Sequence, residues 1–304
     1  MAAQRYRKFD CQTIDGITLR GWFYEVAGPA PAIIMSHGFN CVKEMLLPET
    51  AENFQSLGYN VILYDARSIG ESDGQPCNQS SPYQMAEDVS DLVSYAITLP
   101  SVNSRQILLW AMSFGAAVNA CTIAVDRRPL GLVMVCPLLS FVREDRRERA
   151  FVQLMRDRVS QLQGNPPLSL RPFNAQADNL IGMGGAGGAG GAEARDLMLA
   201  ASERGHPNFS DRITLQTYHK LALFKPKEIM KMIEHVPVLM IIPELDNISS
   251  PAEQKEAFDE MHTPKRLYWA KGKGHLSILT GDGSVEVFQA AADFFRDAVS
   301  GKFH

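Results

Sequence analysis

The segment Gln106-Ile-Leu-Leu-Trp-Ala-Met-Ser-Phe-Gly115 decides the architecture. Ile107 to Met112 is a continuous apolar run, and a stretch of small residues follows Gly115. A continuous run suits a strand covered on both faces, and the small-residue stretch predicts a helix over 114–126. Strand, tight turn with a central serine, then helix is the nucleophile-elbow arrangement. Small residues at 111 and 115 let the turn pass close to its neighbours and lift the Ser113 hydroxyl above the sheet edge. Ala111 stands where glycine is usual, and it still fits. Ser113 could instead be an ordinary helix N-cap. The small–x–Ser–x–Gly spacing behind a buried strand favours the nucleophile.

Similar runs recur outward from this point at Ala32–Met35, Val61–Tyr64, Leu132–Val135, Val238–Ile242 and Arg266–Trp269. Helical patterns lie between them at 43–57, 82–99, 252–262 and 284–298. Strands alternating with helices imply right-handed crossovers and an α/β fold with a doubly wound, mostly parallel sheet. Ahead of them, residues 8–14 and 17–26 alternate in polarity around Asp15-Gly16, which predicts a hairpin.

Residues 137–235 interrupt the rhythm. They hold an amphipathic pattern at 141–163 and further helical patterns near 192–204 and 216–234, but no convincing buried strand. The division expected is therefore a core of residues 1–136 and 236–304 with a helical cap, or lid, at 137–235. Seven of the ten residues 182–191 are glycine. With no strand before it and no Lys-Ser/Thr after it, this run reads as a link inside the cap and not as a phosphate loop.

Composition excludes several classes. The 304 residues carry 30 Lys and Arg against 34 Asp and Glu, a net charge of −4, which does not describe a nucleic-acid binder. No run of eighteen apolar residues is present to span a membrane. Five scattered cysteines without a C-x-x-C pair argue against structural zinc and disulfides and favour a reducing compartment. The polar N-terminus has no apolar leader core, so a cytoplasmic location is expected. The charge is unevenly shared. Residues 137–235 hold 14 basic and 11 acidic residues, a net of +3, leaving −7 elsewhere. Arg143, Arg146, Arg147 and Arg149 cluster in the basic part, where a solvated face with internal ion pairs is the plain expectation.

A serine nucleophile needs a base, and the base needs an orienting acid. His275 follows the 266–270 strand in the glycine-rich loop Lys271-Gly-Lys-Gly-His275. The loop after 238–242 offers Asp246, with Glu244 as its rival. All three loops fall at the carboxyl edge of the sheet, where α/β sites form. His206, His219, His235, His262 and His304 lack such context. Met35-Ser-His-Gly-Phe-Asn40 follows an early strand, so the Phe39 N–H and the Phe114 N–H are the expected oxyanion donors, with His37 shaping the loop. Asp65 and Arg67, in another strand-end loop, read as a structural ion pair. Metal-ligand spacing and a dinucleotide fingerprint are both missing, so neither metal nor cofactor is expected.

Together these residues resemble the α/β-hydrolase superfamily. Longer segments are similar to fungal polyketide transferases and thiohydrolases: Arg5–Asp10, Gly21–Glu25, Pro31–Glu44, Tyr64–Gly70, Leu170–Asn174, Asp211–His219 and Tyr268–Ser277. The resemblance covers nearly the whole chain, the cap included. It implies a Ser113, Asp246, His275 triad and a polyketide thioester delivered by the acyl-carrier domain of a polyketide synthase. The expected activity is a trans-acting thioesterase or acyltransferase that releases the chain by macrolactonisation, hydrolysis or transfer to an alcohol. A stand-alone carboxylesterase or lactonase is the alternative, and a non-catalytic receptor of the same fold is a third.

Overall fold

The computed structural model describes residues 5–179, 191–206 and 208–303. The sheet opens with the expected hairpin, β1 (Arg7–Gln12) and β2 (Thr18–Tyr24), which pair antiparallel. Gly16 takes φ +85° in the turn between them, a conformation glycine adopts without steric cost. The parallel strands are β3 (Ala30–Ser36), β4 (Asn60–Tyr64), β5 (Val102–Met112), β6 (Leu132–Val135), β9 (Val238–Pro243) and β10 (Lys265–Ala270). Their order across the eight-stranded sheet is β1-β2-β4-β3-β5-β6-β9-β10, with only β1 and β2 antiparallel to their neighbours.

Each continuous apolar run divides its side chains between two cores. Ile62 and Tyr64 enter one cluster, and Val61 and Leu63 enter the other. Helices α2 (Pro82–Ala96), α3 (Phe114–Ile123) and α8 (Pro251–Glu260) cover the first face; α1 (Pro48–Ser56) and α9 (Ser284–Val299) cover the second. Helix α9 shows why it docks: Val287, Ala291, Phe294, Phe295 and Ala298 recur at helical spacing and are all buried. Full burial of each large apolar side chain contributes about 1.5–3 kcal/mol.

The chain runs from β3 outward to β4 and then returns to the other side of β3 as β5. That reversal opens a crevice above the carboxyl ends of β3 and β5, where the loops carrying Phe39 and Ser113 begin.

The largest departures from the expected boundaries are three. The helix expected at 43–57 starts only at Pro48, because the Lys43 N–H donates to Asp65 Oδ1 and Leu46 takes φ +61°. The helix expected at 216–234 is two, α6 (Leu215–Leu223) and α7 (Pro226–Met230). Pro226 lacks an N–H and disfavours a helical conformation at the residue before it, so the break falls there. The pattern at 141–163 yields α4 (Arg147–Leu162), preceded by a 3₁₀ turn at Glu144–Arg146.

Between β6 and β9 lie α4, α5 (Ala192–Glu203), α6 and α7, with one antiparallel pair of two-residue strands, β7 (Ser169–Leu170) and β8 (Ile213–Thr214). Of the glycine run at 182–191, all but Gly191 lies outside the described residues. Among the described residues no helix is long and apolar enough to cross a membrane.

Candidate active site

Ser113 joins β5 to α3 with φ +55° and ψ −120°, a backbone conformation that side-chain-bearing residues rarely adopt. The turn is held by the Ser113 N–H donating to the Val135 carbonyl at 2.8 Å. Gly115 is required. A Cβ there would lie 2.2 Å from the His37 carbonyl oxygen, so only glycine lets the β3 loop and the start of α3 approach this closely. Ala111, the departure from the usual glycine, sits fully buried inside the sheet between Ser36 and Met134.

His275 reaches Ser113 from the loop after β10. Its Nε2 lies 2.8 Å from Ser113 Oγ, and its Nδ1 lies 2.8 Å from Asp246 Oδ2. The network assigns the ring proton to Nδ1, leaving Nε2 to accept from the serine hydroxyl. Asp246 is fixed in turn: Oδ1 accepts the Ile248 and Ser249 N–H groups, each at 2.9 Å, and Oδ2 also accepts from Gln254 at 3.1 Å. All three residues are buried. Glu244, the rival acid, does not reach the imidazole; its Oε2 accepts the Gly272 N–H at 2.8 Å and braces the histidine loop.

Phe39 and Phe114 flank the serine, their rings edge to face at 5.6 Å. Gly38 brings the Phe39 loop over the nucleophile, with its Cβ direction 3.5 Å from Ser113 Cβ. His37 lies in the same loop, its Nε2 shielded from solvent. Burial, reinforced by the charge on Lys43, lowers its pKa to about 3. Between that value and about 6.5 the unfolded chain binds a proton here that the folded chain refuses, so stability falls as pH drops through this window. His37→Gln is expected to flatten the pH dependence of the unfolding free energy between about pH 3 and 6.5, by up to about 1.4 kcal/mol per pH unit. An unchanged slope would mean His37 titrates normally in the folded protein.

Asp65 and Arg67 do not pair with each other, contrary to the sequence reading. Asp65 bonds Lys43 Nζ at 2.7 Å, and Arg67 bonds Asp88 and Asp15. Both are structural, with partners supplied from distant segments. Half of the arginine cluster is likewise paired: Arg143 and Arg146 both engage Asp145 and Asp178, while Arg147 and Arg149 are exposed.

Above Ser113 and His275 a cavity of about 110 Å³ is walled largely by apolar side chains, among them Phe39, Leu138, Phe141, Phe173, Met198 and Leu221. The last five come from the segment between β6 and β9. Among the Met and Leu side chains of α4 and α5, Met198 lines it. Leu154 is buried in a packed cluster, and Met155 and Leu199 are exposed. Residues His206, His219, His235 and His262 are not part of the wall, and His304 lies outside the described residues.

Sequence reasoning did not single out Cys136. It is buried with φ +40°, its Sγ 3.4 Å from the His275 carbonyl oxygen and 4.0 Å from Nε2. Cys136, Asp246 and His275 have donor atoms within 4.8 Å of one another. Ser113 and Asp246 already occupy both ring nitrogens, however, and burial holds the thiol protonated. The trio therefore favours the hydrogen-bonded array over a cation.

A buried serine, imidazole and carboxylate in one line are equipped for acyl transfer, and comparison with known proteins agrees. The sequence model of the serine aminopeptidase S33 family matches residues 27–280. The chain belongs to this family of α/β-hydrolases. The hydrolase is 41% identical to a thiohydrolase of Eupenicillium brefeldianum, over 96% of this chain and 94% of the relative. It is 33% identical to polyketide transferase ATR5 of Stachybotrys chlorohalonatus, over 97% and 98%. Among solved structures it is similar to DcsB in complex with its substrate analogue, at 56% identity and a TM-score of 0.92, over 96% and 99% of the two chains. These relatives make the hydrolase an enzyme of hydrolytic or group-transfer type.

Proposed function

We propose that the enzyme takes a polyketide acyl chain from a carrier-protein thioester onto Ser113 and releases it to water, to a hydroxyl of the chain itself or to an acceptor alcohol. The observation that carries this reading is the Ser113–His275–Asp246 line opening into an apolar cavity. His275 Nε2 takes the serine proton as Oγ attacks the thioester carbon, and Asp246 stabilises the imidazolium that forms. The N–H groups of Phe39 and Phe114 receive the developing oxyanion. Collapse of the tetrahedral intermediate expels the carrier thiol, which takes the proton from His275 and leaves an acyl-serine. The acceptor hydroxyl then attacks by the reverse route. Relatives named for thioester hydrolysis and polyketide transfer support this substrate class.

Residues 137–235 act as a cap on a core of 1–136 and 236–304. An acyl chain folded back beneath the cap meets its own hydroxyl at high effective concentration with water excluded, which favours lactone over acid. The exposed Arg147 and Arg149 offer a landing point for an acidic carrier domain. The five unpaired cysteines support work in the reducing cytoplasm.

Product analysis with a hydroxylated acyl chain on a carrier domain tests the reading: a lactone, an acid or a transferred ester each identifies the acceptor. Arg147→Glu with Arg149→Glu is expected to lower kcat/KM about tenfold with the carrier-bound substrate and to spare a small thioester. Equal losses on both would remove the carrier contact. Turnover of oxygen esters with none of carrier-bound thioesters would replace this reading with that of a stand-alone esterase.

A further inference from the structure

We propose that Glu193 is a positioning residue that clamps the His275 loop from the segment between β6 and β9. The inference rests on the assignment of His275 as the base. Glu193 stands in the first turn of α5, 83 positions before Leu276, yet its Oε2 accepts the Leu276 N–H at 3.1 Å. Its other oxygen lies 2.7 Å from where a Cβ on residue 274 would sit, so Gly274 gives the carboxylate room. One side chain thus lies against both backbone neighbours of His275.

The other supports of the loop come from the sheet side or from the loop itself. Glu244 holds the Gly272 N–H, Ser277 Oγ holds the Gly274 N–H at 2.9 Å, and Cys136 Sγ meets the His275 carbonyl. Among the described residues the Leu276 N–H is held only from α5, by a glutamate side chain. Helix α5 is itself seated against the cavity wall. Gly191, at its N-cap, packs so tightly on Phe173 that a Cβ would lie 2.6 Å from the ring. The wall that meets the acyl chain and the loop that carries the base are therefore joined through one short stretch, residues 191–193. A shift of α5 would release the Leu276 N–H and loosen the imidazole, and a misplacement of about 1 Å costs up to about 100-fold in rate.

Labelling of Ser113 by a small fluorophosphonate probe tests this, because it depends on the Ser113–His275 pair and not on the natural substrate. Glu193→Ala is expected to lower the maximal labelling rate about 10- to 100-fold with little change in the half-saturating probe concentration. Glu193→Gln, whose amide oxygen can accept the same N–H, should remain within about threefold of wild type. A purely structural role would not give this split or this rescue. Should Glu193→Ala fail to fold, Gly274→Ala displaces the carboxylate while leaving it in the chain, and the same fall is expected. Labelling within twofold of wild type in either folded variant overturns the assignment, as does a Gln variant as slow as the Ala variant. A wild-type enzyme that labels at Ser113 but ignores carrier-bound thioesters would fault the substrate reading and leave the clamp standing.

Discussion

Ser113→Ala is expected to lower kcat for release of a synthetic acyl thioester by about 10⁴- to 10⁶-fold while leaving KM within a few-fold. In the proposed reaction the hydroxyl bonded to His275 forms the new ester, and among the described residues no second hydroxyl takes its place on the imidazole. Asp246→Asn should be nearly as damaging, about 10⁴-fold. Asp246 Oδ2 receives both the His275 Nδ1–H and the Gln254 amide, and Oδ1 receives two backbone N–H groups. An asparagine amide cannot accept all four. It would turn an N–H toward the ring or orphan a donor, favouring the tautomer with Nε2 protonated, which cannot take the serine proton. Single-turnover kinetics on both variants checks the pair, and losses below tenfold would show that the chemistry runs elsewhere.

Lys43→Met is expected to be the most damaging single change to stability. The Lys43 side chain is fully buried, and its ammonium contacts Asp65 at 2.7 Å, Glu71 at 2.8 Å and Glu44 at 2.9 Å. Burial alone would weaken its hold on the proton, but Asp65, with Glu71 and Glu44, overcompensates and keeps it charged. Removing the ammonium leaves a fully buried Asp65 without its cation, a loss of about 3–5 kcal/mol. Lys43 belongs to the loop that carries Phe39, so the side of the site proposed to hold the oxyanion should loosen with it. Denaturant unfolding of Lys43→Met, Asp65→Asn and the double variant measures the coupling. Additive losses would mean that the pair contributes nothing beyond its separate parts.

The sheet was legible because parallel strands are buried on both faces. A run such as Val61–Tyr64 has to be apolar throughout, and that pattern survives in one sequence. Ser113 was legible for a related reason: the elbow needs small neighbours, and Gly115 shows its necessity in the His37 carbonyl beside it. Asp246 and Glu244 stand two residues apart in one loop, and only the fold reveals which reaches the imidazole. The partners of Asp65 and Arg67 were misread because proximity in sequence was taken for proximity in space, whereas buried charges recruit partners across the chain. Lys43 resembles any loop lysine until three carboxylates converge on it. Pro226 did carry the signal that splits the helical stretch at 216–234, and the apolar periodicity on either side obscured it. Glu193 had no local signal at all, since its role lies in a contact spanning 83 positions.

Intact-mass analysis during turnover of a short-chain acyl thioester tests the central claim most directly. The expected result is an added mass equal to one acyl group less one hydrogen, located on Ser113, decaying as product appears and absent from Ser113→Ala. Steady product release without an acylated Ser113 after rapid quenching, or release by Ser113→Ala at the wild-type rate, would contradict it.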